Sequence, residues 1–157
     1  MIEIKVTQDM IDRAKLKSNE MGSLNNSIRK GEGNLIGFIG EQVAINVMGG
    51  SWVNTYDYDL ITDDGKKVDV KTKQTTVTPR TFYECSVAKF NTSQKCDMYE
   101  FVRVKNTLDT AWFLGVMEKE KYYKTATPLK KGDVDPSNNF TVKADCYNLK
   151  IEELDSV

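Results

Sequence analysis

The residues of this chain best suited to chemistry are Asp59, Asp69 and Lys71, with Glu41 upstream of them. In the run Tyr56-Asp57-Tyr58-Asp59-Leu60-Ile61-Thr62-Asp63-Asp64-Gly65-Lys66-Lys67-Val68-Asp69-Val70-Lys71-Thr72-Lys73, Asp63-Asp64-Gly65 fits a three-residue hairpin loop, with Gly65 in the left-handed position. Thr62 then pairs with Lys66, and counting outward sets Asp59 opposite Asp69. Side chains alternate along a strand. Tyr58, Leu60, Val68 and Val70 therefore form an apolar face, while Asp57, Asp59, Asp69, Lys71 and Lys73 share the other. Two aspartates facing each other repel. A shared hard cation removes that conflict, because Mg²⁺ takes one or two carboxylates, keeps several waters and engages phosphate oxygens. Lys71 points the same way as Asp69. Its ammonium could orient or help deprotonate an attacking water and offset charge building on a phosphate.

Glu41 lies in the segment Leu35 to Met48, which reads as a helix closed by Gly49-Gly50. Its helical neighbours are Gly37, Phe38, Ala44, Ile45 and Met48, so a carboxylate sits inside an apolar stripe. The polar face is expected near Gln42 and Asn46, about 100–140° away. A buried charge is costly unless paired or bound to metal. Gly37 and Gly40 weaken a helix, and close packing against a sheet would explain them.

Composition narrows the chemistry further. The chain has 157 residues, 39% hydrophobic and 29% charged, enough for one domain with its own core. There is no histidine. That excludes Ser-His-Asp and Cys-His catalysis, histidine general bases and His-Glu-x-x-His zinc sites. Hydrolysis would have to come from carboxylates, lysines, hydroxyls and a hard cation such as Mg²⁺, Mn²⁺ or Ca²⁺. Cys85, Cys96 and Cys146 are too scattered for a zinc site and read as free thiols of a reducing compartment. The net charge of −1 selects neither for nor against nucleic acid. Met1 to Val6 alternates apolar and charged residues, unlike a secretory leader, and no apolar run spans a bilayer, so a cytoplasmic protein is expected.

The remaining elements must position these residues. Residues 2–6 read as a strand, Thr7 as an N-cap, and Gln8 to Met21 as a helix stopped by Gly22. Residues 23–34, rich in Gly, Asn and Ser, read as a loop. Strands are expected at Asp57 to Ile61, Lys66 to Lys73, Phe82 to Val87, Met98 to Lys105 and Ala111 to Met117. A helix is expected at Glu118 to Lys124, and a last strand or helix at Tyr147 to Leu154. Helices first and strands after suggest an α/β or α+β fold with a central mixed sheet.

Asp59, nine residues, then Asp69-Val70-Lys71 resembles the PD-(D/E)xK nuclease signature on a hairpin, and Glu41 resembles the additional N-terminal Glu of many members. The resemblance covers roughly residues 34–74. Lys95 to Val104 is similar to a later core strand, which extends the motif region to 34–105 of a single 1–157 domain. The run Asn26-Ser27…Gly33-Asn34…Gly37…Gly40-Glu41 is similar to small phage-encoded members, for which the compartment would be the host cytoplasm. The proline that names the motif is replaced by Tyr58, and Asp57 is an alternative holder of the first-Asp role.

The resemblance implies a restriction-endonuclease-like mixed sheet flanked by helices. It implies that Asp59 and Asp69 hold Mg²⁺ (or Mn²⁺), that Lys71 serves the water, and that Glu41 completes the site directly or through a water. The implied activity is phosphodiester hydrolysis by an endonuclease acting on DNA, with RNA left open. A non-catalytic nucleic-acid- or protein-binding module on the same fold is the alternative, and the small size leaves room for a homodimer. Lys73, Gln74, Arg29 and Lys30 are candidate nucleic-acid contacts, as are Arg80, Lys89 and Lys95 more distantly. Tyr122-Tyr123 could stack on bases or simply complete an amphipathic segment.

Overall fold

The structure, a computed structural model, describes residues 1–22 and 32–157. Arg29 and Lys30, and most of the expected 23–34 loop, lie outside the described residues. The fold is of the mixed α+β kind. In chain order it runs β1 (Ile2–Lys5), α1 (Gln8–Gly22), α2 (Glu32–Met48), β2 (Ser51–Trp52), β3 (Leu60–Ile61), β4 (Lys67–Thr75) and β5 (Glu84–Ala88). It continues with β6 (Met98–Lys105), β7 (Thr110–Glu118), α3 (Lys119–Thr125), β8 (Thr127–Leu129) and β9 (Cys146–Lys150). Six strands form one sheet in the order β1-β7-β6-β4-β3-β2, in which β4 and β6 are parallel and the other pairs antiparallel. β5, β9 and β8 make a separate antiparallel sheet.

The six-stranded sheet lies between two apolar clusters. On one face Val68, Val70, Val102 and Val104 pack with Phe38, Ile39, Val43 and Ala44 of α2 and with Met10 and Ala14 of α1. On the other face Tyr99, Phe101, Trp112 and Leu114 meet Tyr122 of α3 and Cys85, Val87 and Leu149 of the small sheet. Strand alternation produces this division. Ile39 and Val43 are fully enclosed, and burying each contributes about 1.5–3 kcal/mol. Tyr122 is fully buried and donates to Cys85 O at 2.8 Å, so it serves the core rather than a base-stacking surface. The three cysteines are free. Among the described residues no helix is long and apolar enough to cross a membrane.

The expected hairpin register holds: Leu60 pairs with Val68, Ile61 with Lys67, and Thr62 N donates to Lys66 O at 2.9 Å. Gly65 adopts φ 88° in the loop. Two details differ. β3 is only two residues long, because the chain leaves β4 at Asp59 rather than at Asp57. Tyr58, released from strand alternation, packs with the second cluster instead of with Leu60 and Val68. The helix α2 also begins at Glu32, ahead of Leu35. It has no continuous polar face. Gln42 is buried and donates to Met10 O at 2.7 Å, because α1 covers the side of α2 that the sheet leaves free.

The two helical glycines have different reasons. A Cβ on Gly40 would lie 2.7–2.8 Å from Cγ2 and Cβ of Thr72 on β4, so the helix approaches the strand as closely as its backbone allows. Among the described residues nothing lies within 4 Å of a Cβ placed on Gly37. Gly40→Ala is expected to destabilise by about 1–3 kcal/mol through overpacking. Gly37→Ala is expected to stabilise by about 0.5–1 kcal/mol through helix propensity. Urea unfolding of both variants measures the contrast, and equal effects would sink the close-packing account.

Glu100 is a buried charged residue on the helical side of the sheet. It lies between Val70 and Val116 on neighbouring strands, is 1% exposed, and among the described residues neither carboxylate oxygen has a hydrogen-bond partner. Burial pushes its carboxyl up to about 7. The folded state therefore holds this proton through a pH range in which the unfolded chain has lost it. Its contribution is complete below the ordinary carboxylate range and declines as pH rises toward 7, by about 3 kcal/mol in all. Denaturation midpoints of wild type and Glu100→Gln between pH 4.5 and 8 test this. The variant should flatten the decline, and parallel curves would refute it.

Candidate metal-binding site

The site forms where the hairpin splits. β3 covers β4 only at Lys67 and Val68. Beyond that point the Val70 N–H has no strand to pair with, and it donates to Asp59 Oδ2 at 2.8 Å. The side chain of Asp59 thus replaces a missing backbone acceptor, which fixes it beside Asp69. Asp69 is 5% exposed and follows strand alternation onto the face of Tyr99, its neighbour on β6. Lys71 shares that face, with Nζ 2.5 Å from Asp69 Oδ2, 3.4 Å from Gln94 Oε1 and 5.7 Å from the centre of the Tyr99 ring. Glu41, 6% exposed, approaches from α2, near enough for the charges of Asp59 and Asp69 to act on it.

The electrostatics show how crowded the acids are. Burial, then the charge of Asp69, raises the Asp59 carboxyl to about 7, although the Val70 N–H and Lys71 oppose the shift. Burial, then the charge of Asp59, raises Glu41 to about 8, opposed by the Trp52 indole and Lys17. Both shifts have the cause expected of carboxylates forced together away from water. Asp69 Oδ2 is itself buried and, though close to Lys71, receives no well-directed hydrogen bond.

Of the four principal residues, Asp59, Asp69 and Lys71 lie side by side along β4, and Glu41 is near enough to feel the charges of the two aspartates. Asp57 has another partner: its Oδ1 accepts from Lys95 N at 3.0 Å. Lys73 is half-exposed and pairs with Glu84, which also meets Arg103 at 3.4 Å. Burial alone would raise Glu84, but Lys73 and Arg103 hold it below the ordinary carboxylate range. Gln74 is exposed and alternates to the face opposite Lys71. Arg80, Lys89 and Lys95 are exposed. A cavity of about 350 Å³ opens along β4 beside Lys71 and Lys73, bounded by Gly37 and Thr72 and by Glu84 and Ser86.

Three residues at the site escape a reading of the sequence. Gln94, 7% exposed, bridges Lys71 to Tyr56 O, to which its Nε2 donates at 2.9 Å. It lies outside both the hairpin and α2, so no local spacing marks it. Lys17 and Asn54 flank Glu41. Lys17 resembles any exposed helix lysine in sequence, and Asn54 any loop residue.

Among the described residues no three or more Asp, Glu, Cys or His side chains are placed so that together they could hold a metal ion. Asp59 and Asp69 supply two hard oxygen donors, which suits Mg²⁺, a cation that commonly keeps several waters beside one or two carboxylates. The mutual repulsion of these acids and the poorly satisfied Asp69 Oδ2 are the features a cation would relieve. Compared with models of known protein families and with curated proteins, the chain matches none.

Asp59→Asn keeps an acceptor for Val70 N–H and removes one crowded charge. Because the folded-state carboxyl is raised, its ionisation costs stability as pH rises above the ordinary aspartate range. At pH 8 without metal the variant should be more stable by about 1–3 kcal/mol. It should also lose any rise in Tm on adding Mg²⁺. Thermal unfolding with and without Mg²⁺ checks both parts, and a less stable variant would count against the crowding.

Proposed function

We propose that this protein is a metal-dependent nuclease that hydrolyses phosphodiester bonds, acting as an endonuclease on DNA with Mg²⁺, for which Mn²⁺ can substitute. The observation that carries this reading is the meeting of Glu41, Asp59 and Asp69, all substantially withdrawn from water, with Lys71 at 2.5 Å from Asp69. The choice of DNA rests on the resemblance to PD-(D/E)xK nucleases.

Asp59 and Asp69 would hold the cation, and Glu41 would complete the site directly or through a water. Bound Mg²⁺ supplies positive charge at the phosphate oxygens and a water more easily deprotonated than bulk water. Lys71 is held between Asp69 and Gln94, where its ammonium can orient the attacking water and balance charge on the phosphate. The water oxygen forms a bond to phosphorus as the bond to one ester oxygen breaks. A phosphomonoester and a free hydroxyl result. Burial of Asp69 and Lys71 limits competing water around these charges.

The test is cleavage of labelled duplex, single-stranded and branched DNA and of RNA, with Mg²⁺, Mn²⁺ or EDTA. Wild type should cut at least one DNA substrate only with metal. Lys71→Ala and Asp69→Ala should each lower the rate by at least about 100-fold, the scale of losing one electrostatic stabiliser. No cleavage of any substrate by well-folded wild type would instead favour a non-catalytic binding module.

A further inference from the structure

α1 carries a second lysine to the site. Lys17 Nζ lies 3.9 Å from the centre of the Trp52 ring and 5.8 Å from that of Phe38, over the aromatic faces. Trp52 and Asn54 belong to the segment between α2 and β3. Asn54 has φ 51°, the left-handed region that asparagine tolerates better than most residues. Its backbone is tied to a site residue: Val53 N and Asn54 N both donate to Asp59 O, at 2.8 and 3.0 Å. In the orientation that satisfies both ends of its amide, Asn54 donates to Glu41 Oε2 at 3.1 Å and accepts from Lys17 Nζ at 2.5 Å.

Lys17, Asn54 and Glu41 therefore form a continuous chain, anchored by an aromatic platform at one end and by the Asp59 backbone in the middle. Such an arrangement does more than neutralise a charge. The amide directs one Glu41 oxygen, and the lysine directs the amide. Residues that orient a ligand from behind act on metal affinity without touching the ion.

Charge balance points the same way. Glu41, Asp59 and Asp69 carry three negative charges when ionised, and one divalent cation with Lys71 offsets them only if both serve all three. Lys71 is committed to Asp69. Lys17 stands on the opposite side, one amide away from Glu41.

We propose that Lys17 and Asn54 are positioning residues that fix the Glu41 carboxylate beside the Asp59–Asp69 pair and offset its charge, so that a divalent cation binds that pair more tightly. This rests on the nuclease reading of the same site. Two substitutions separate positioning from packing. Lys17→Met keeps an aliphatic stem over Trp52 and Phe38 but removes the charge. Asn54→Gly keeps the left-handed backbone accessible but removes the amide.

The experiment is calorimetric titration of Mg²⁺ into metal-free wild type, Asp69→Asn, Lys17→Met, Lys17→Arg and Asn54→Gly, with circular dichroism of each before titration. Wild type should bind Mg²⁺ and Asp69→Asn should not. Lys17→Met and Asn54→Gly should bind at least about 10-fold more weakly with unchanged metal-free spectra, and Lys17→Arg should recover most of the loss. Wild-type affinity in both Lys17→Met and Asn54→Gly would overturn this inference while leaving the nuclease reading intact. Wild type that neither binds Mg²⁺ nor cleaves would overturn both.

Discussion

The site depends on one hydrogen bond, from the Val70 N–H to the carboxylate of Asp59. An edge backbone donor next to a buried face needs an acceptor. Here the strand that should provide it has ended after two residues, and a side chain takes over. That substitution brings Asp59 to Asp69 and leaves both short of water. Like charges in such a place raise the cost of ionisation, as the upward shifts of Asp59 and Glu41 show. The fold thus accepts an electrostatic conflict at the point where backbone pairing runs out. Conflicts of this kind collect at functional sites more often than in ordinary packing.

What holds the conflict in place comes from both faces of the sheet. On the helical side, the glycine at position 40 lets α2 rest on Thr72, which sets the depth at which Glu41 enters. On the other side, the segment after β5 is fastened to the segment before β3. Gln94 donates to Tyr56 O, Asp57 accepts from Lys95 N, and the Lys119 ammonium meets Gln94 O. These bonds close a cover over Asp69 and Lys71. The loop residues contribute by excluding water and by holding Lys71 in one direction, and neither effect follows from strand geometry alone.

Much of this was legible in the sequence because it is local. The loop Asp63-Asp64-Gly65 set the register, and the register set which side chains share a face. Met98 to Lys105 read as a strand because it is a short run of aromatic and β-branched residues, as suits a strand buried on both faces, and Thr7 read as a cap because Met10 N needs an acceptor, which it finds at 3.2 Å. The failures have a common cause. β2 and β8 are two or three residues long and carry too little pattern to be seen. Gln42 looked like solvent-facing polarity because a sequence does not say which helix will cover another. Gln74 is a candidate because it follows Lys71 by three positions, whereas Gln94 is distant along the chain and meets Lys71 only in the fold. Lys17 and Asn54 are separated from Glu41 by different elements, and their meeting is a property of the assembled layers.

The comparison of Asp57 with Asp59 shows how much a single bond decides. Both lie on the same side of an ideal strand, and spacing alone separates them poorly. The chain turns away at Asp59, however, and Asp57 then finds a backbone N–H of its own at Lys95. Its charge is satisfied by the cover of the site, whereas that of Asp59 is divided between one N–H and a neighbouring acid. An aspartate with a complete local partner has nothing left for a cation to relieve. One pressed against a second carboxylate does, and the position of Lys71 beside that pair, rather than beside Asp57, is what makes the site chemically directed instead of merely acidic.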